Sequence, residues 1–451
     1  MDLTTNPIEL TIQFITFSDL IRLSLTNKHF KKQIHDKILF SSPIDIPDAI
    51  EGYALLRTFK NIQLNAITSL AWVYTSEIHL YPDLKLLTFE IITCNIPDDI
   101  LSKMTTLTSL NMGYSPQNTN NGISTLTNLI SLKIPGISKI DDTGVLPLTN
   151  LQHLDLYSST ISNKALPHFP KLTYLKINSC PNINGHGIRN LTNLTELNIY
   201  PNSYKFLFLD DDLSPLTNLT SLSIHYCNKV THKGIHPLSK LQQLTISFDT
   251  YHINESLNYI PPLSSLKELT LDGFSTRDYI WNSIRKLSTL TSLIMTGCLD
   301  PNIIPTLTQL KKLELHFYSS NAHLEKINYL TNLIDFQCHG PLRIEHISNL
   351  TNLESFTLNS MSEIYIRELG HFSNLTFLDI EAFPSNRYWL GELCVLPKLK
   401  SLNVDKIIIN SGLTKFLNKN FSPALILNGM RVSYYFEDLY YIEGRRIMQK
   451  R

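Results

Sequence analysis

Leu148-Thr-Asn-Leu-Gln-His-Leu-Asp-Leu156 is the stretch on which the fold turns. Close copies stand at Leu191–Ile199, Leu216–Ile224 and Leu350–Leu358, with degenerate copies between them. Taking the second leucine of each block as a marker gives fifteen positions from Leu84 to Leu399, about 22.5 residues apart on average. A fixed period in the twenties points to a solenoid, in which each unit packs only on its neighbours. Within the block, Leu154 and Leu156 alternate with His153 and Asp155, the period of a strand. Leu151, Leu154 and Leu156 are expected to face inward. One such strand cannot bury its apolar side alone, so neighbouring copies must supply the wall, as a parallel sheet.

Beyond the strand the chain must turn. Cys180, Cys227 and Cys298 each follow the last apolar strand position by three residues. Cysteine there suits a buried turn, as a small hydrophobe with a weak S–H donor. Cys180–Leu191 and Cys227–Leu238 then place Asn or Thr before x-x-Gly-Ile, which reads as the cap of a short helix; Ile137–Leu148 repeats the outline without the cysteine. The 20-residue spacings Leu290–Leu310 and Leu333–Leu353 are too short for such a helix and predict an extended or 3₁₀ crossing. This consensus resembles a leucine-rich repeat, and its cysteine-bearing copies are similar to the cysteine-containing class. The fold implied is an α/β solenoid over residues 81–404, a horseshoe with a parallel concave sheet.

Residues 1–80 lack the marker. Pro7, Glu9 and Leu10, followed by Asp19, Leu20, Leu23, Ser24, Lys28 and Phe30, match the pattern of an F-box, and residues 1–40 resemble that helical segment. About three residues are missing between Glu9 and Asp19 relative to the usual spacing. The resemblance implies that Pro7, Leu10, Leu20, Leu23 and Phe30 meet a Skp-type adaptor and, through it, a cullin ligase. The same apolar stripe also suits a cap over the open end of the solenoid. Residues 41–80 are expected as linker and amino-terminal cap. Residues 405–451 are expected as a carboxy-terminal cap, with a last short strand in 423–428, an aromatic cluster (Tyr434, Tyr435, Phe436, Tyr440 and Tyr441) and a basic tail, Arg445–Arg451.

Composition narrows the partners. Lys+Arg and Asp+Glu are both 39, so no net field favours nucleic acid or an anionic membrane. No stretch reaches the ~18 apolar residues of a membrane span. The opening MDLTTNPIEL lacks the basic and apolar regions of a signal peptide. The six cysteines form no CxxC pair. A reduced cytoplasmic setting is expected, with the basic tail a weak nuclear-import signal. Phosphate-loop, dinucleotide, nucleophile-elbow and zinc-protease motifs do not occur, so neither catalysis nor a cofactor is expected.

The residues between the inward leucines face the hollow of the solenoid. His153, Tyr157, Tyr174, Tyr200, His225, Tyr226, Phe248, His316, Phe317 and His339 are the aromatic and imidazole side chains expected to hold a protein target there. A metal site shared by His225, His316 and His339 is not expected, because they are far apart in sequence. Two functions fit. The joint resemblance of both segments implies the substrate receptor of a Skp/cullin/F-box-type ubiquitin ligase. A non-catalytic interaction scaffold with a helical cap is the alternative.

Overall fold

The computed structural model of the chain describes residues 96–404, except 114, 137–138, 202–206, 228, 248–258, 274–277, 298–299, 318–323, 360–365 and 381–395. Outside that stretch it describes the strand segments 44–46, 64–68, 86–91, 426–428, 441–443 and 446–448. The chain divides into two compact units, Met1–Asn218 and Leu219–Arg451.

The first unit is a ladder of parallel strands. β1 (Ile44–Ile46), β2 (Leu64–Thr68), β3 (Leu86–Ile91), β4 (Ser109–Asn111), β5 (Ser131–Ile134), β6 (His153–Tyr157), β7 (Tyr174–Asn178) and β8 (Glu196–Tyr200) each pair with the next. The second unit repeats the plan with β9 (Ser221–His225), β10 (Gln243–Ser247), β11 (Glu268–Asp272), β12 (Ser292–Thr296), β13 (Lys312–His316), β14 (Asp335–His339), β15 (Ser355–Asn359), β16 (Phe377–Ile380), β17 (Ser401–Val404) and β18 (Ile426–Asn428). An antiparallel pair, Tyr441–Glu443 with Arg446–Met448, follows. Each unit is thus a parallel-sheet solenoid. The ladder starts earlier than the leucine marker does. Because the marker lies in the turn before the strand, β1 and β2 join the sheet without it.

Register makes the core. Leu154 pairs with Leu175 and Leu175 with Leu197, while Leu156, Ile177 and Ile199 form the next column. All six are at most 1% exposed, as is the marker column Leu107, Leu129, Leu151, Leu172 and Leu194. Leu244, Leu269, Leu293, Leu313, Phe336 and Phe356 form the corresponding column in the second unit. Removing these side chains from water is worth about 1.5–3 kcal/mol each, and only the adjacent repeat can do it.

The asparagine of Leu-Thr-Asn-Leu has its own structural role. Its Nδ2 donates to a backbone carbonyl of the preceding repeat: Asn128 to Thr105 at 2.8 Å, Asn150 to Thr127 at 3.0 Å, Asn193 to Pro170 at 2.8 Å, Asn332 to Thr308 and Asn352 to Thr331 at 2.8 Å. Where lysine takes this place, its Nζ reaches the preceding asparagine: Lys171 to Asn150 Oδ1 and Lys398 to Asn374 Oδ1, both 2.7 Å. At the asparagine repeats a turn carbonyl is thereby satisfied by the next repeat.

The other side of several repeats carries the short helices expected from the Asn/Thr-x-x-Gly-Ile pattern. Asn184 caps Gly185–Ile188 by accepting from the His186 N–H, and Thr231 caps His232–Ile235 by accepting from Lys233. The Asn184 cap is itself held by the preceding repeat: Asn163 Nδ2 donates to Asn184 Oδ1 at 2.8 Å, and Asn163 Oδ1 accepts from the Asn184 N–H at 3.0 Å. The two 20-residue repeats cross as single 3₁₀ turns, Ile304–Thr306 and Ile344–His346. Among the described residues no helix is long and apolar enough to cross a membrane.

Two substitutions test this packing by denaturant melts. A Cβ on Gly185 would sit 2.0 Å from Oδ2 and 2.7 Å from Cβ of Asp212, a residue 2% exposed and tied to the Leu209 N–H. Gly185→Ala should therefore cost about 1–3 kcal/mol, as overpacking does. Asn352→Ala should cost about 0.5–1.5 kcal/mol for its single hydrogen bond.

Candidate interaction surface

The polar face of each sheet is built by the residues that alternate with the inward leucines. In the first unit, His153, Tyr174 and Glu196 lie in one row across β6, β7 and β8. Asp155, Lys176 and Asn198 form the second row, and Tyr157, Asn178 and Tyr200 the third. The His153 and Tyr174 rings are 5.9 Å apart and tilted by 36°. Burial raises the Tyr174 pKa, and the negative charges of Asp155 and Glu196 push it the same way, so the phenol stays a neutral donor and acceptor. Lys133 Nζ lies 3.9 Å from Asp155 Oδ2, an exposed pair that contributes little to stability. Tyr157 is 52% exposed. The face offers neutral aromatic anchors with a thin spread of charge, the surface type that protein interfaces favour.

In the second unit, His225 ends β9, and its Nε2 lies 2.8 Å from Ser223 Oγ, on a residue only 7% exposed. Burial pulls the His225 pKa down to about 4, against the nearby Asp272 carboxylate, which acts to raise it. The imidazole is neutral at physiological pH.

A turn with positive φ closes many of the strands. Ser158 (φ 47°), Ser179 (φ 58°), Tyr226 (φ 55°), Gly273 (φ 73°) and Gly297 (φ 111°) each stand immediately after a strand. Their amides continue the ladder: the N–H of Ser158 donates to Asn178, that of Ser179 to Tyr200 and that of Tyr226 to Ser247. At Tyr226 the residue is 47% exposed at this forced bend. The glycines at this position were the available sequence signal, but the repeat consensus does not single them out.

The sequence-derived surface set divides on this structure. His153, Tyr157, Tyr174, Tyr200, His225, Tyr226, His316 and His339 lie on or at the ends of the strands' polar faces, partly or largely exposed. Phe317 does not: it is 4% exposed, because the alternation that turns Leu313 and Leu315 inward carries it to the same side as the chain enters the turn. There its ring packs so close to Gly340 that a Cβ would come within 2.7 Å of it. Phe248, and the adaptor candidates Pro7, Leu10, Leu20, Leu23 and Phe30, lie outside the described residues.

The distance argument against shared ligands also needs correction. His316 and His339 are 23 positions apart, which is one repeat, so they are register partners on adjacent strands β13 and β14. Their rings stack with centroids 4.1 Å apart and planes within 1°. Only His225 is remote from them, on β9.

Of the turn cysteines, Cys180 is buried and Cys227 half-buried, while Cys298 lies outside the described residues. Cys180 Sγ and Cys227 Sγ donate to the carbonyls of Asn178 and His225, each at 3.4 Å. Cys338 is instead an inward residue of β14 at 0% exposure. Burial pushes the thiols of Cys227 and Cys338 up to about 12 and raises that of Cys180, which leaves them unreactive.

Columns of leucine, a parallel ladder and a turn-and-helix return define a leucine-rich-repeat solenoid. Residues 85–296 match the family described as leucine-rich repeat region. The fold is similar to that of a leucine-rich-repeat protein of Leptospira interrogans (TM-score 0.43, 17% identity, 84% of this chain and 91% of that one). It is also similar to that of an internalin of Listeria monocytogenes (TM-score 0.40, 22% identity, 73% and 88%). No curated protein matches the chain at a significant level.

His225 provides a pH test of this surface. An unfolded histidine titrates near 6.5. The folded chain therefore binds fewer protons between pH ~6.5 and ~4, and stability should fall as pH drops through that window. An NMR titration should find the His225 midpoint well below those of exposed histidines, and His225→Gln should flatten that part of the stability profile.

Proposed function

We propose that the chain is a non-catalytic protein-binding scaffold, with its target held on the polar face of the sheet. The observation that carries this reading is the display of Tyr157, Tyr174 and Tyr200 on β6–β8, strands whose backbones are locked by the parallel ladder. Rigid aromatic side chains with a polar tip contribute large contact area at low entropic cost.

A finer role follows from the amino-terminal resemblance. We infer that the scaffold serves as the substrate receptor of a Skp/cullin/F-box-type ubiquitin ligase. Pro7, Leu10, Leu20, Leu23 and Phe30 would dock a Skp-type adaptor, so that the repeats hold a target for a separate ubiquitin-transferring enzyme. The match of Asp19, Leu20, Leu23, Ser24, Lys28 and Phe30 to the F-box pattern supports this. The short spacing between Glu9 and Asp19 favours the plainer scaffold, with residues 1–40 as a cap.

Adaptor capture separates the two. Full-length protein should retain a purified Skp-type adaptor, and Leu20→Asp with Leu23→Asp should abolish retention by placing charge in an apolar contact, while the circular dichroism of the repeats stays unchanged. Absence of binding by the unaltered chain, or melting of the repeats in the double variant, would leave the scaffold alone. For the target face, partners captured by proximity labelling should be lost when Tyr157 and Tyr200 are both changed to Ala, with a loss of at least ~2 kcal/mol in affinity for any one of them. Lys164→Ala, an exposed change outside the strands, should capture the same set.

A further inference from the structure

We propose that Glu314, His316 and His339 form a binding site for a transition ion of the zinc(II) class on the polar face of the second unit. The site is independent of the protein-binding reading above. Glu314 and His316 are two residues apart on β13 and so share one face of the strand. His339 is the register partner of His316 on β14. One ligand atom from each of the three lies within 4.8 Å of the other two. His316 Nε2 is 2.8 Å from Glu314 Oε1, and the two imidazole planes are parallel within 1°.

The donor set fixes the class of ion. Two imidazoles and one carboxylate are the ligands of zinc sites that keep an open position, whereas calcium and magnesium take oxygen almost alone. Metal–ligand bonds of about 2.1 Å in a tetrahedron separate neighbouring ligand atoms by about 3.4 Å. The widest gap here closes by side-chain rotation, because the backbones of β13 and β14 are already held in register. All three residues are partly exposed, so an ion can enter and a fourth position faces solvent. In the described state, the His316–Glu314 hydrogen bond satisfies both groups. Binding exchanges that contact for two bonds to the ion, with any proton between them released to water. Lys312 does not bar this: its Nζ lies 4.0 Å from Glu314 Oε2 but 3.7 Å from Asp335 Oδ2, so Asp335 still holds it when Glu314 turns.

The test uses full-length protein with any affinity tag removed, titrated with zinc(II) by calorimetry and with cobalt(II) by visible absorption. One ion per chain should bind at sub-millimolar concentration, with cobalt d–d bands of nitrogen/oxygen ligation and a zinc-dependent rise in the melting temperature of the unaltered protein. His316→Gln and His339→Gln should each weaken binding more than ~100-fold, beyond the ~10–100-fold of an outer-sphere change, with unchanged circular dichroism in the metal-free state. His168→Gln, an exposed histidine in the first unit, should bind as the unaltered protein does. Absence of binding by the unaltered chain would overturn the proposal. So would binding that survives His316→Gln with His339→Gln, equal weakening by His168→Gln, or a cobalt spectrum dominated by thiolate charge transfer.

Discussion

No repeat of this chain can bury its own leucines. A single strand of the type Leu154-Asp155-Leu156 presents one apolar edge and has nothing to set it against except the next copy. Everything else follows from that constraint. The register must be in step, or leucine would meet a polar side chain across the gap. The turn must return the chain in about 20–25 residues, which limits the far side to a single helical turn or a 3₁₀ crossing. The turn carbonyls are left without strand partners, and where asparagine precedes the marker leucine it supplies a donor from the following repeat.

The same register that stacks the leucines also fixes the functional face. Whatever stands one residue from an inward leucine is carried onto the opposite face, in a row with its counterparts one repeat away. That is how Tyr157, Asn178 and Tyr200 come to share a row, and how Glu314, His316 and His339 come together although 25 positions separate the first from the last. In a solenoid, chemistry assembles along the repeat period, and a ligand set is found by comparing residues one period apart.

The fold was legible because its signal is repeated many times. Leu148–Leu156 gives the strand, the inward face and the neighbour requirement; Asn184 and Thr231 give the caps; the spacings Leu290–Leu310 and Leu333–Leu353 give the 3₁₀ crossings. The surface was legible only as far as strand alternation runs. Phe317 was misplaced because it was grouped with His316, although its parity is that of Leu313 and Leu315, the inward positions of its strand. The His316–His339 pair was set aside because distance was counted in residues, whereas the fold measures it in repeats. The sheet's start at β1 was hidden because Leu-Thr-Asn-Leu marks turns, and a strand can join the ladder without one. The role of the marker asparagine needs the carbonyl of another repeat to be placed beside it, which no single repeat reveals.

The most direct test of nearest-neighbour stacking is hydrogen exchange, read strand by strand, on the unaltered chain and on Leu353→Ala. Leu353 is fully buried and leads into β15. Stacking by neighbours predicts that the amides of β14, β15 and β16 lose protection first, while those of β5–β8 in the first unit keep theirs. Protection lost evenly over all strands would contradict the account, as would no loss at all in β14–β16.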